Sequence, residues 1–219
     1  MLLFWNGSET IATSRLRKYP KSFQYAFMEK TTIDRVKKTA LVSLVFNMVF
    51  SAYHIAFGLA TASWWFLTIG IYYAILSVAR FVVLRHKEGK RNIVHFTGAI
   101  LMVLSLSLVG TVILAFVKDR GTVFPLIAIL AIATYTFVKI SLAIIRWIRV
   151  RKSKSAKMIT LRNISLANAF VSVFSLQRSM LVSFGGMSAT EIRIMNVGTG
   201  SAVCIIVFLL GLNLVSKKD

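Results

Sequence analysis

The sequence predicts an all-α polytopic membrane protein with six transmembrane helices and both termini in the cytoplasm. Three observations predict it. Hydrophobic residues make up 57% of the 219-residue chain, and the mean hydropathy is +0.73. Soluble domains hold roughly 45–50% apolar residues. Six apolar runs reach the roughly 20 residues that a bilayer core demands. The basic residues concentrate in alternate linkers, which is the charge pattern of a chain threaded through a membrane.

Taken in order, the runs cover residues 39–60, 63–84, 94–117, 123–145, 159–182 and 196–215. At this length only helices satisfy the backbone in lipid. A short turn around Thr61 joins the first two runs. "RHKEGKRN" joins the second to the third, and "KDRGT" the third to the fourth. "RVRKSKSAK" and "GGMSATEIRI" complete the set. Residues 1–38 form a basic, aromatic arm ahead of the membrane domain (39–216), and 217–219 form a short tail. The arm reads either as an interfacial helix on the inner leaflet or as a loosely ordered cytoplasmic segment. Its short apolar start has no basic stretch before it, so no cleaved signal peptide is expected.

The net charge is +20, from 27 Lys and Arg against 7 Asp and Glu. Twenty of the basic residues fall on the side of the arm, the second and fourth linkers and the tail, against three on the other side. That places both termini in the cytoplasm of a cell-membrane protein. Anionic lipid at the cytoplasmic face then accounts for the charge, with no nucleic-acid partner. No Gly-rich loop precedes a helix in a way that would hold a nucleotide. The single cysteine, Cys204, forms no internal disulfide or metal cluster. The expected partners are the bilayer and its anionic lipids, with a homodimer left open and no cofactor.

Ionisable groups within a bilayer are functional candidates by default. All seven acids lie outside the six runs. No span carboxylate is therefore present to bind a metal or balance a cation. Arg80 and Arg162 stand near inner helix ends and Arg178 near an outer one, so these three are expected to snorkel. Arg146 is assigned to the fourth linker. Lys139, in "TYTFVKISLAI", lies about 21 Å along the helix from Pro125. Either it faces the bundle and takes neutral oxygens as acceptors, or the span sits further inward and Lys139 snorkels. His54 reads as a hydrogen-bonded packing residue. Gly58 with Ala62, and Gly198 with Ala202, read as close-packing pairs.

Neutral polar groups gather on the second and fifth runs. In "LRNISLANAFVSV", Asn168 and Ser172 are four apart and share a helix face. Ser165, Asn168, Ser172 and Ser175 form one stripe, expected to face Tyr72 or Tyr73 on the second run. Such a stripe either glues helices or lines a cavity.

"NMVFSAYHIAFGLATASWWFLTIGIYYAILSVAR", "HFTGAILMVLSLSLVGTVIL" and "SAKMITLRNISLANAFVSV" resemble the membrane domain of the cation diffusion facilitator family. The resemblance is remote and covers about 39–182. It implies a six-helix bundle of that family's kind, with a divalent-cation site between helices two and five. The family's helix-five ligand pair falls on Ile164 and Asn168, and its trailing serine on Ser172. The helix-two pair falls near Tyr72 or Tyr73 and Leu76 or Ser77. Isoleucine cannot ligate a metal, so no metal site is expected.

The expected function is a divergent carrier of a neutral or anionic small solute, contacting Tyr72, Tyr73, Ser77, Lys139, Asn168 and Ser172. The alternative is a non-transporting subunit or assembly partner whose polar seam only packs helices. No nucleophile–base pair has motif support, so no catalytic residue is assigned.

Overall fold

The computed structural model describes residues 21–85, 91–117, 125–151, 155–184 and 186–216. The chain divides into two units, Met1–Lys38 and Thr39–Asp219. In the first, residues 21–38 are helical, and residues 1–20 of the expected arm lie outside the described residues. The tail 217–219 also lies outside them.

The described residues form six helices. They are α1 (Lys21–Ala60), α2 (Trp64–Arg85), α3 (Arg91–Val117), α4 (Leu126–Val150), α5 (Ala156–Phe184) and α6 (Ala189–Val215). Each contains a stretch long and apolar enough to cross a membrane. Even α2, the shortest at 22 residues, is about 33 Å long and exceeds a hydrocarbon core of about 30 Å. Large apolar side chains such as Phe46, Ile127, Phe137 and Leu209 point outward, as lipid-facing residues should. The chain is thus a multi-pass membrane protein by its architecture.

Three ends differ from expectation by five residues or more, the first being that of α1, which begins at Lys21 rather than 39. Helix α4 continues to Val150 rather than stopping at 145, which takes Arg146 out of the linker and into the helix. Helix α6 begins at Ala189 rather than 196. Its start is set by a capping box, in which Ser188 accepts from the Glu191 N–H and the Glu191 carboxylate accepts from the Ser188 N–H.

The α1–α2 turn is a Schellman motif. Ser63 N–H reaches the Gly58 carbonyl at 2.9 Å and Ala62 N–H the Leu59 carbonyl at 3.4 Å. Ala62 takes the left-handed position, φ 49°, where glycine is usual. Ala62 therefore lies beyond the helix and is not the packing partner of Gly58. Gly58 itself does allow a close approach, since a Cβ there would stand 2.8 Å from the Leu67 nitrogen.

Helix α3 packs most extensively on α6, and α4 on α5. In the α3–α6 contact a Cβ on either Gly98 or Gly211 would stand 2.8 Å from the other's carbonyl oxygen. Gly198, by contrast, has open space around it, and Ala202 is exposed. The expected small-residue pair on α6 is thus on the wrong face, and Gly200 and Gly211 form the close contacts. Helix α5 is central. It touches α2, α3, α4 and α6 and is buried along most of its length.

Candidate functional site

A helix surrounded by others must bury its polar groups or lack them. Helix α5 carries Ser165, Asn168 and Ser172, all buried. They form a polar seam with residues of α1, α2 and α4, all within the unit Thr39–Asp219.

Lys139 stands in the seam with 6% of its surface exposed. Its ammonium donates to Asn168 Oδ1 at 3.2 Å and Ser172 Oγ at 3.0 Å. It also lies 4.1 Å from the Tyr73 ring centroid and 4.3 Å from that of Tyr135, within cation–π range. Snorkelling is therefore ruled out for this lysine, and neutral oxygens are its acceptors. Tyr73 hydroxyl pairs with Ser172 Oγ at 3.0 Å. Asn168 Nδ2 donates to Asn47 Oδ1 at 3.1 Å, and Tyr135 hydroxyl donates to the same oxygen at 3.1 Å. The amide of Asn168 thereby links α4 to α1 through α5. Ile164, buried one turn before Asn168, offers no donor atom.

Two expected members stand apart. Tyr72 is buried, but its hydroxyl has no hydrogen-bond partner among the described residues. Ser77 is buried and donates to the Tyr73 carbonyl of its own helix at 2.7 Å. Tyr73, Lys139, Asn168 and Ser172 come together as one network. His54 packs beside it, with Nδ1 2.9 Å from the Phe50 carbonyl.

The arginines depart furthest from expectation. Arg80 is fully buried, at 0% exposure, and Arg146 is at 3%. Arg80 donates to Ser43 Oγ and, at 3.5 Å, to Ser165 Oγ. Arg146 donates to the same Ser165 oxygen. Arg178 is also buried, with its guanidinium carbon 4.2 Å from the Trp65 ring centroid. Arg80 and Arg178 do not snorkel, because neighbouring helices close over them. Of the three arginines expected to snorkel, only Arg162 retains partial exposure.

A periodic signal marks these missed residues. Tyr73 and Arg80, Lys139 and Arg146, and Ser172 and Ser165 are each seven residues apart. Seven residues are two helical turns, about 10.5 Å. Three helices thus present two polar tiers at the same spacing. The upper tier holds Lys139 and the lower one holds Arg80 and Arg146. Among the described residues no cluster of three metal-ligating side chains occurs.

The six spans and the buried seam define a multi-pass membrane bundle with a cationic polar core. No known protein family, curated protein or solved structure matches this chain.

Proposed function

We propose that this protein is a divergent carrier of a neutral or anionic small solute in the cell membrane, with both termini cytoplasmic. Kinship to cation diffusion facilitators is part of this reading, with the divalent site replaced. The observation that carries it is Lys139. An ammonium that is buried and held, among the described residues, by neutral oxygens and ring faces is costly in a bilayer, and a divalent cation beside it would be repelled. The seam lies between α2 and α5, where a facilitator would hold its ion. No enzymatic step is part of the proposal. Its partners are the bilayer and the anionic lipids of the cytoplasmic face.

A second reading is a non-transporting subunit. It is favoured by the closure of the seam, whose members Tyr73, Lys139, Asn168 and Ser172 are all buried and bonded to one another. Thiol accessibility separates the two without knowledge of the solute. In a Cys204→Ala background, Ser172→Cys is treated with a charged methanethiosulfonate in intact membranes. A carrier opens the seam to water in part of its cycle and the new thiol reacts. A thiol that stays unreactive from both sides, in a folded protein, refutes the carrier.

A further inference from the structure

The lower tier has the wrong charge balance for a packing device. Two guanidiniums converge on one hydroxyl, Ser165 Oγ. That hydroxyl donates its own proton to the Leu161 carbonyl at 2.6 Å, so its lone pairs face the arginines. Ser43 Oγ is the other acceptor for Arg80. Arginine stays protonated in proteins, so this tier holds two positive charges within reach of one atom. No acid of the sequence falls within residues 39–85, 125–151 or 155–184, which supply the seam. Buried charges are normally paired, and like charges this close repel.

The unused donors show where a counter-charge would sit. Arg80 Nε, and Arg146 Nε and Nη2, are buried with no partner among the described residues. Buried polar atoms left unpaired are rare and costly. Arg80 and Arg146 come from different helices, α2 and α4, so the cluster depends on tertiary packing. A packing role alone would be served as well by neutral side chains, since a buried charge set is often less stable than an apolar one of the same shape.

We propose that the guanidiniums of Arg80 and Arg146, positioned by Ser43 and Ser165, form a binding site for one small oxyanion, a carboxylate or phosphate group. The planar guanidinium fork matches both groups with paired N–H donors. The site is on the same seam as the carrier reading, rests on that reading for its role, and narrows the solute to an oxyanion. Lys139 lies two turns along α4 from Arg146 and would receive the same anion next. The oxyanion can come from a free solute or from the headgroup of an anionic lipid.

The test uses the purified full-length protein, delipidated in neutral detergent, and follows its Tm. Acetate, inorganic phosphate and sulfate are titrated against chloride at constant ionic strength. A parallel arm adds phosphatidylglycerol against phosphatidylcholine. We expect a saturable rise of about 5–10 °C at an anion concentration 100-fold above half-saturation. A rise with phosphate or acetate identifies a free oxyanion. A rise with phosphatidylglycerol alone identifies the lipid headgroup in the same site. Arg146→Gln should abolish the response and Arg151→Gln, at an exposed position, should keep it. Arg146→Lys keeps the charge and should raise the half-saturating concentration about tenfold. No saturable response from wild type in either arm, or an unchanged one in Arg146→Lys, overturns the proposal. Binding that depends on Arg146, with an unreactive Ser172→Cys, would leave the oxyanion site standing and remove the carrier. A reactive Ser172→Cys without an anion response would do the reverse.

Discussion

Asn168→Ala removes two buried hydrogen bonds at once, from Lys139 to Oδ1 and from Nδ2 to Asn47. Hydrogen bonds between membrane helices average about 0.6 kcal/mol each, so the pair accounts for about 1.2 kcal/mol. The larger share comes from what remains. Lys139 keeps Ser172 and its ring neighbours but loses an acceptor while buried, which costs about 1–3 kcal/mol. The expected total is about 2–4 kcal/mol. The same reasoning makes a second, less obvious claim. Lys139→Met removes the charge that needs the acceptor, and loss of both polar partners is often nearly neutral. The double variant Lys139→Met/Asn168→Ala should therefore be more stable than the summed single effects by about 1–2 kcal/mol. The assay is unfolding by SDS titration in mixed micelles, followed through Trp65, whose ring lies 5.6 Å from that of Phe174. A cost below about 0.5 kcal/mol for Asn168→Ala, or additivity within about 0.3–0.5 kcal/mol, would refute the reasoning.

Three further outcomes are expected. In the same titration, Gly211→Ala should destabilise by about 1–3 kcal/mol, because the added methyl meets the Gly98 carbonyl; Gly198→Ala, with open space around it, should cost nothing and gain up to about 1 kcal/mol from helix propensity. Ala62→Gly should stabilise by about 0.5–1 kcal/mol, since a left-handed alanine costs about 1–2 kcal/mol and glycine returns part of that as unfolded-chain entropy; a loss of stability would contradict the Schellman assignment. For the proposed orientation, Ser188→Cys in the Cys204→Ala background should react with an impermeant maleimide on intact cells and Arg151→Cys only after permeabilisation, and the opposite pattern would invert the topology.

The membrane class and the helix count were legible in the sequence because bilayer insertion is nearly a one-dimensional property. It depends on apolar residues per stretch of helix, and 20 residues suffice to read it. The close approach at Gly58 was legible too. So were Tyr73, Asn168 and Ser172, since a four-residue spacing already places groups on one helix face. Which helix that face meets is a different kind of fact. The stripe on α5 was expected to turn from lipid, yet α5 has almost no lipid face, and Phe174 on its other side is buried as well. Tyr72 and Tyr73 were indistinguishable by position, and packing alone sent the Tyr73 hydroxyl to Ser172. In the sequence the fourth run ends before Arg146 because local hydropathy falls at the C-terminal end of α4. The helix continues there because backbone groups must stay paired inside a bilayer and because Ser165 on α5 meets the guanidinium. Arg80 was expected to snorkel, as a lone helix would let it, but in the bundle neighbouring helices close that route. The two-turn spacing of Tyr73 with Arg80 and Lys139 with Arg146 was written in the sequence. Only tertiary packing brought α2, α4 and α5 into register, because the energy of a buried charge is set by the groups that surround it in space and not by its neighbours along the chain.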